Sequence, residues 1–125
     1  MKQEEKNLLL KDLCTRLPYG VVCTDLRHGD SRITEIDTVS EVVYFDDVDE
    51  YVEIKNIRPY LRPMSSMTPE EKAYYRYYIS RIIDGILGTI GEYIDWLNSR
   101  HFDYRGLIEK GLAIEVTKKN NPYKY

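Results

Sequence analysis

Leu10, Leu13, Cys14 and Leu17 recur at i, i+3, i+4 and i+7, the buried stripe of a helix predicted from about residue 3 to Leu17. Pro18 ends it, because the residue before a proline is driven out of the helical region. The pattern then changes period. Tyr19 to Leu26 is rich in β-branched and aromatic residues, Arg32 to Asp37 alternates around Ile33 and Ile36, and Val42 to Phe45 and Tyr51 to Ile57 complete four predicted strands. Arg27-His28-Gly29-Asp30 supplies the first turn and Asp46-Asp47-Val48-Asp49-Glu50 an acidic loop. Pro59 and Pro63 argue against both a helix and a central strand over Arg58 to Met67, which reads as an extended or locally 3₁₀ connector.

Helical periodicity returns at Thr68. Thr68 as cap, Pro69 at the first position and Glu71 closing a capping box predict a helix running to about Asp84, with Tyr75, Ile79, Ile82, Ile83 and Ile86 buried. Gly85, Gly88 and Gly91 would each cost a continuous helix about 1 kcal/mol relative to alanine, so a break is expected. Thr89 and Glu92 then form a second capping box, and a helix from about Ile90 to Arg100 carries the stripe Ile90, Tyr93, Ile94 and Leu97. Asp103 caps a short turn that stops at Gly111, and Leu112, Ile114 and Val116 alternate as a last strand.

These elements define an α+β class: an N-terminal helix, a four-stranded antiparallel meander or small SH3-like barrel, then two to three C-terminal helices and a short last strand. One domain is expected over residues 1–117, divided into a helix-plus-strand unit at 1–57, the connector at 58–68 and a helical part at 69–117. Residues 118–125 read as a frayed tail.

Length agrees with this division, since 125 residues suffice for one domain that folds without metal or disulfide support. No apolar run approaches the ~18 residues of a membrane span, and the polar N-terminus lacks a signal-peptide core, so a cytoplasmic location without membrane association is expected. Cys14 and Cys23 fit that setting as buried free thiols. Charge is uneven. Residues 1–53 carry 6 Lys/Arg against 13 Asp/Glu, whereas residues 54–125 carry 12 against 8, which together give the net charge of −3. Such asymmetry suits a charged partner or a second copy, or mutual neutralisation inside one fold.

Tyrosine supplies 12 of the aromatic residues, against 2 phenylalanines and 1 tryptophan. A ring with a wet end suits half-buried positions and interfaces. Two surfaces follow. Lys55-Asn56-Ile57-Arg58-Pro59-Tyr60-Leu61-Arg62-Pro63 sets Arg58, Tyr60 and Arg62 on a proline-held segment, which could brace the strands, grip a protein, or stack on bases and touch phosphates. In Tyr74-Tyr75-Arg76-Tyr77-Tyr78 successive residues step about 100° around the axis, so Arg76 and Tyr77 are left toward solvent or a partner when the other rings turn inward.

Reactive chemistry has weaker support. Asp46, Asp47, Asp49 and Glu50 lack the ligand spacing and glycine of a calcium loop. Cys14, Cys23, His28 and His101 lack the paired close spacing of a zinc site. Ser65, Ser66, His101 and Asp103 supply the residue types of a hydrolytic triad without a strand-turn-helix elbow. No catalytic, metal or cofactor residues are assigned, and an enzyme is not expected.

Asp12-Leu13-Cys14-Thr15-Arg16-Leu17-Pro18-Tyr19-Gly20-Val21, Arg58 to Thr68, Asp95-Trp96-Leu97-Asn98 and His101-Phe102-Asp103-Tyr104-Arg105-Gly106-Leu107-Ile108 carry a resemblance over nearly the whole chain. Through them the chain resembles a family of uncharacterised proteins from Bacteroides-group gut bacteria, often encoded near phage or other mobile elements. The resemblance implies an intracellular bacterial or phage protein and brings no activity, cofactor or catalytic residue with it. Lys118-Lys119-Asn120-Asn121 departs from the apolar, small-residue ending usual in that family. The function expected is a non-enzymatic protein-interaction module, with an unidentified protein or a second copy as partner. The alternative is a nucleic-acid-associated regulator acting through Lys55 to Arg62. An overall pI near 5.4 weighs against the latter.

Overall fold

The fold is given by a computed structural model that describes residues 1–25, 29–47 and 50–123. Helix α1 spans Gln3–Arg16 and buries Leu9, Leu10, Asp12, Leu13 and Arg16. The buried stripe therefore sits one position away from the expected one: Cys14 is exposed, whereas Cys23 lies in the core. Burial pushes the Cys23 thiol well up, which keeps it a neutral, inert hydrophobe.

A mixed sheet follows. Strands β1 (Val22–Asp25), β2 (Gly29–Asp37), β3 (Val42–Phe45) and β4 (Tyr51–Glu53) pair antiparallel with their sequence neighbours. The alternation that predicted β2 is interrupted by a register shift between Ile33 and Glu35. After a 3₁₀ turn at Ile54–Asn56, where the expected fourth strand breaks off, β5 (Arg58–Pro63) pairs antiparallel with β1. Strands β6 (Phe102–Asp103) and β7 (Ile114–Glu115) then pair parallel with β5. The order β4-β3-β2-β1-β5-β6, with β7 also on β5, leaves the sheet open among the described residues. The architecture is α+β.

The connector expectation is corrected in part: Met64–Ser66 is the expected local 3₁₀ turn, but the segment before it belongs to the sheet. Arg58 to Pro63 is an inner strand, and the proline rule is met another way. Pro59 and Pro63 lie near the strand's two ends, and the pairing is divided among three partners: Arg58 and Pro59 with β1, Tyr60 and Leu61 with β7, Arg62 and Pro63 with β6. The unbroken ladder that proline would interrupt is never built.

The tail expectation is corrected too. The β1–β5 register would next set Val22 opposite Tyr60, and the Tyr123 hydroxyl occupies that place, accepting from the Val22 amide at 3.1 Å and donating to the Tyr60 carbonyl at 2.6 Å. Its ring stacks on His101 at 3.7 Å and 8°. The last part of the chain is thus held as a plug in the sheet; residues 124–125 of the expected tail lie outside the described residues, as do Arg27 and His28 of the first turn and Asp49 of the acidic loop.

One apolar cluster joins Leu9 and Leu13 of α1 to Val21, Cys23, Ile33, Val43, Phe45, Ile54, Ile57, Leu61, Leu107 and Leu112. Helices α2 (Pro69–Ile83) and α3 (Thr89–Ser99) contribute nothing to that cluster. The helix break at the glycines is present: α2 ends at Ile83, and Gly85 and Gly88 take positive φ of 70° and 83°. Gly88, rather than Thr89, is the N-cap of α3, so the second capping box is not formed.

Tyr123→Phe removes the bridging hydroxyl and leaves a backbone donor and acceptor without their partner. A loss of about 1–3 kcal/mol in urea unfolding is expected. An unchanged midpoint would show that the plug carries no stability.

Candidate interaction surface on the helical hairpin

The sequence-predicted residues divide between two elements. On β5, Arg58 is exposed while Tyr60 and Arg62 are both buried. The Tyr60 hydroxyl donates to Asp30 at 3.0 Å, and burial, reinforced by the Asp30 carboxylate, raises its phenol pKa. Arg62 makes a bidentate ion pair with Glu71, at 2.6 and 2.8 Å, and its guanidinium lies 4.3 Å from the centre of the Phe102 ring. Burial alone would raise the Glu71 pKa. The Arg62 hydrogen bonds and charge, with the Thr68 amide, outweigh it and hold the carboxyl below its usual range. Tyr60 and Arg62 are therefore internal braces, not a gripping or stacking surface, and Lys55 is paired with Glu53 at 3.1 Å.

The remaining candidates are engaged elsewhere. The Ser66 hydroxyl donates to the Pro63 carbonyl at 2.7 Å, and the Asp103 carboxylate accepts from the Leu107 and Ile108 amides at 2.9 Å each, the capping role read from sequence. No group of three or more His, Cys, Asp or Glu is arranged to hold a metal ion among the described residues. No helix among them is long and apolar enough to cross a membrane.

Arg76 and Tyr77 lead to a different surface. Thr68 and Glu71 form the expected capping box, so α2 starts firmly, yet Glu71 is its one buried residue. On one side, Tyr74 and Tyr78 meet Trp96 of α3 at 6.0 and 5.7 Å, and Tyr75 and Tyr78 meet Tyr93 at 6.2 and 5.7 Å. Trp96 in turn meets Phe102 at 5.8 Å, tying the hairpin's base to the sheet. The other side is bare. Ile79 and Ile82, expected in the core, are half-buried; Tyr75, Ile83 and Ile86 are exposed, Ile83 by 78%. Ile90, assigned to the buried stripe of α3, is 63% exposed, and Leu87 in the turn is 97% exposed. Periodicity marks the apolar faces correctly, but they are covered only in part: Tyr75 meets Tyr93 and Leu97 of the α3 stripe is buried, while Ile83 and Ile90 are left in solvent. Leu87 was absent from the sequence-based site, although Ile86-Leu87 between two glycines is an apolar pair where a turn is ordinarily polar.

Comparison with protein-family models, with curated proteins and with solved structures finds no match to this chain. The surface must be read from its own chemistry.

Two substitutions separate brace from surface. Arg62→Ala leaves the Glu71 carboxylate buried without its cation and should cost about 3–5 kcal/mol in urea unfolding, whereas exposed Arg58→Ala should stay within about 0.5 kcal/mol. Equal effects would contradict the assignment.

His101 adds a pH dependence. Burial, with the charges of Arg16 and Arg62 nearby, lowers its pKa from 6.5 to about 4. Folded imidazole stays neutral where the unfolded chain takes up a proton, so stability is full above pH 6.5 and falls as pH drops toward 4. The slope contributed should approach about 1.4 kcal/mol per pH unit. His101→Asn, which suits the positive φ of 62° at this position, should flatten the profile in that window. An unchanged slope would mean that His101 is protonated in the fold.

Proposed function

We propose that this chain is a non-enzymatic protein-interaction module, working inside the cell in the setting its family resemblance implies, and that its working surface is the outer face of the α2–α3 hairpin. The observation that carries this reading is a 15-residue helix with one buried residue, next to Ile83, Leu87 and Ile90 in solvent. Covering each of these aliphatic side chains is worth about 1.5–3 kcal/mol. The module has the two parts that docking requires. A body with its own apolar cluster supplies rigidity, and α2, whose one buried residue is Glu71, is free to give its outer face to a partner. Arg76 and Tyr77 keep their place as partner-binding residues on this face. Arg58 lies on the strand, and Tyr60 and Arg62 support the hairpin's base from within.

A photo-crosslinking residue introduced in turn at Leu87, Ile83 and Val39 tests the assignment in cells producing the protein. Val39 is 92% exposed in the turn after β2, so it controls for exposure alone. Adducts should form from Leu87 and Ile83 and not from Val39. Absence of hairpin adducts, or equal labelling from Val39, would overturn the reading.

A further inference from the structure

The outer face of α2 is built around Ser80. Tyr75, Arg76, Ile79, Ser80, Ile83 and Asp84 line a shallow groove of about 290 Å³, with small Ser80 mid-way between a cation and an anion. Arg76 and Asp84 lie four residues to either side of it, are exposed, and have no ion-pair partner among the described residues. At a rise of 1.5 Å per residue they are separated by about 12 Å along the axis.

That pattern is self-complementary. A two-fold axis passing through Ser80, perpendicular to the helix, places each residue against the one equally far on the other side in an antiparallel copy. Arg76 then meets Asp84 and Asp84 meets Arg76, Tyr77 meets Ile83 twice, and Ser80 lies against Ser80. Leu87, 97% exposed in the turn beyond the end of α2, lies next to this contact in sequence and outside its helical register. Every one of these residues is exposed in the single chain. Apart from the small Ser80–Ser80 centre, each of these cross-pairs is apolar with apolar or opposite in charge, the isologous condition that a closed dimer requires. A helix face chosen for an unrelated partner has no need of this antisymmetry.

We infer that the hairpin docks on a second copy of this chain, through an antiparallel α2–α2 contact centred on Ser80. The inference rests on the hairpin being the working surface and names its occupant. The contact is a modest one beside stable specific interfaces, which bury roughly 600–1,000 Å² per partner. Its small centre at Ser80 lets the helices approach closely, while the two Arg76–Asp84 pairs at the rim fix register more than they add affinity.

The full chain should run as a dimer in light scattering and sedimentation from low to high micromolar concentration. Arg76→Asp alone sets two acids against two acids, and Asp84→Arg alone sets two cations together. Each should weaken dimerisation at least tenfold, and the Arg76→Asp/Asp84→Arg pair should restore it. Both side chains are exposed, so unchanged circular dichroism is expected for all three. Ile83→Glu should give a monomer. A wild-type monomer at the highest concentration overturns self-docking. A dimer indifferent to the single charge reversals, or one that the double reversal does not restore, overturns the Ser80 register. If the purified chain is monomeric while Leu87 still crosslinks to another protein, the interaction module stands and only its partner has been misassigned. If neither occurs, both readings fail.

Discussion

The Arg62–Glu71 ion pair fixes how the two parts of the molecule meet. Arg62 belongs to the sheet and Glu71 to the first turn of α2, and no other residue of that helix is buried. A buried ion pair gains little net stability over an apolar pair of the same shape, because desolvation consumes most of the attraction. Its value here is directional. Both carboxylate oxygens are used by one guanidinium, so the helix cannot turn about its start without leaving a charge unpaired. The Arg62 amide donates to the His101 carbonyl at 2.8 Å, and Phe102 lies beneath the guanidinium, so one residue joins β5, β6 and α2. From the far side, Arg16, fully buried and paired with Asp12, donates to the Phe102 carbonyl at 2.6 Å. Arg105 adds a second cation to Asp12 at 3.1 Å, linking the acidic first part of the chain to the basic second part.

Residues that act within a few positions of themselves could be read from the sequence. Thr68 caps with Glu71, Asp103 holds a turn, and the glycines at 85 and 88 end one helix and begin another. Residues whose role is set by distant partners could not. Glu71 looks like a capping acid and is also the counter-ion of Arg62, nine positions back. Tyr60 and Arg62 look like a binding pair because rigid aromatic-basic segments bind things; only the arrival of Asp30 and Glu71 turns them into supports. Tyr123 looks like part of a polar tail, and nothing local announces that a hydroxyl 101 residues away will complete the β1–β5 pairing at Val22.

The hairpin shows the limit of periodicity more sharply. Tyr75, Ile79 and Ile83 recur at helical spacing, and that spacing states that one face is apolar. It does not state whether the covering layer comes from the same chain. The charged positions interleaved with the stripe carry the missing information. Arg76 and Asp84 flank it at equal distances from Ser80, which a face packed inside its own domain would not need, since an internal layer buries charge at a cost. In the proposed self-docking, the pattern of charge carries what hydrophobicity alone does not.

Separation of the core from the hairpin also explains how such a face is tolerated in a single chain. All members of the main apolar cluster come from α1, the strands with the adjoining Val21, Ile54 and Ile57, and the segments around Leu107 and Leu112, so the body holds together whether or not the hairpin is covered. The hairpin is stiffened by ring-on-ring packing of Tyr74, Tyr75 and Tyr78 on Tyr93 and Trp96, contacts that need no second layer. Its outer face is thereby preorganised before any partner arrives. In the proposed docking, little ordering entropy would then be lost, so that a modest contact area suffices.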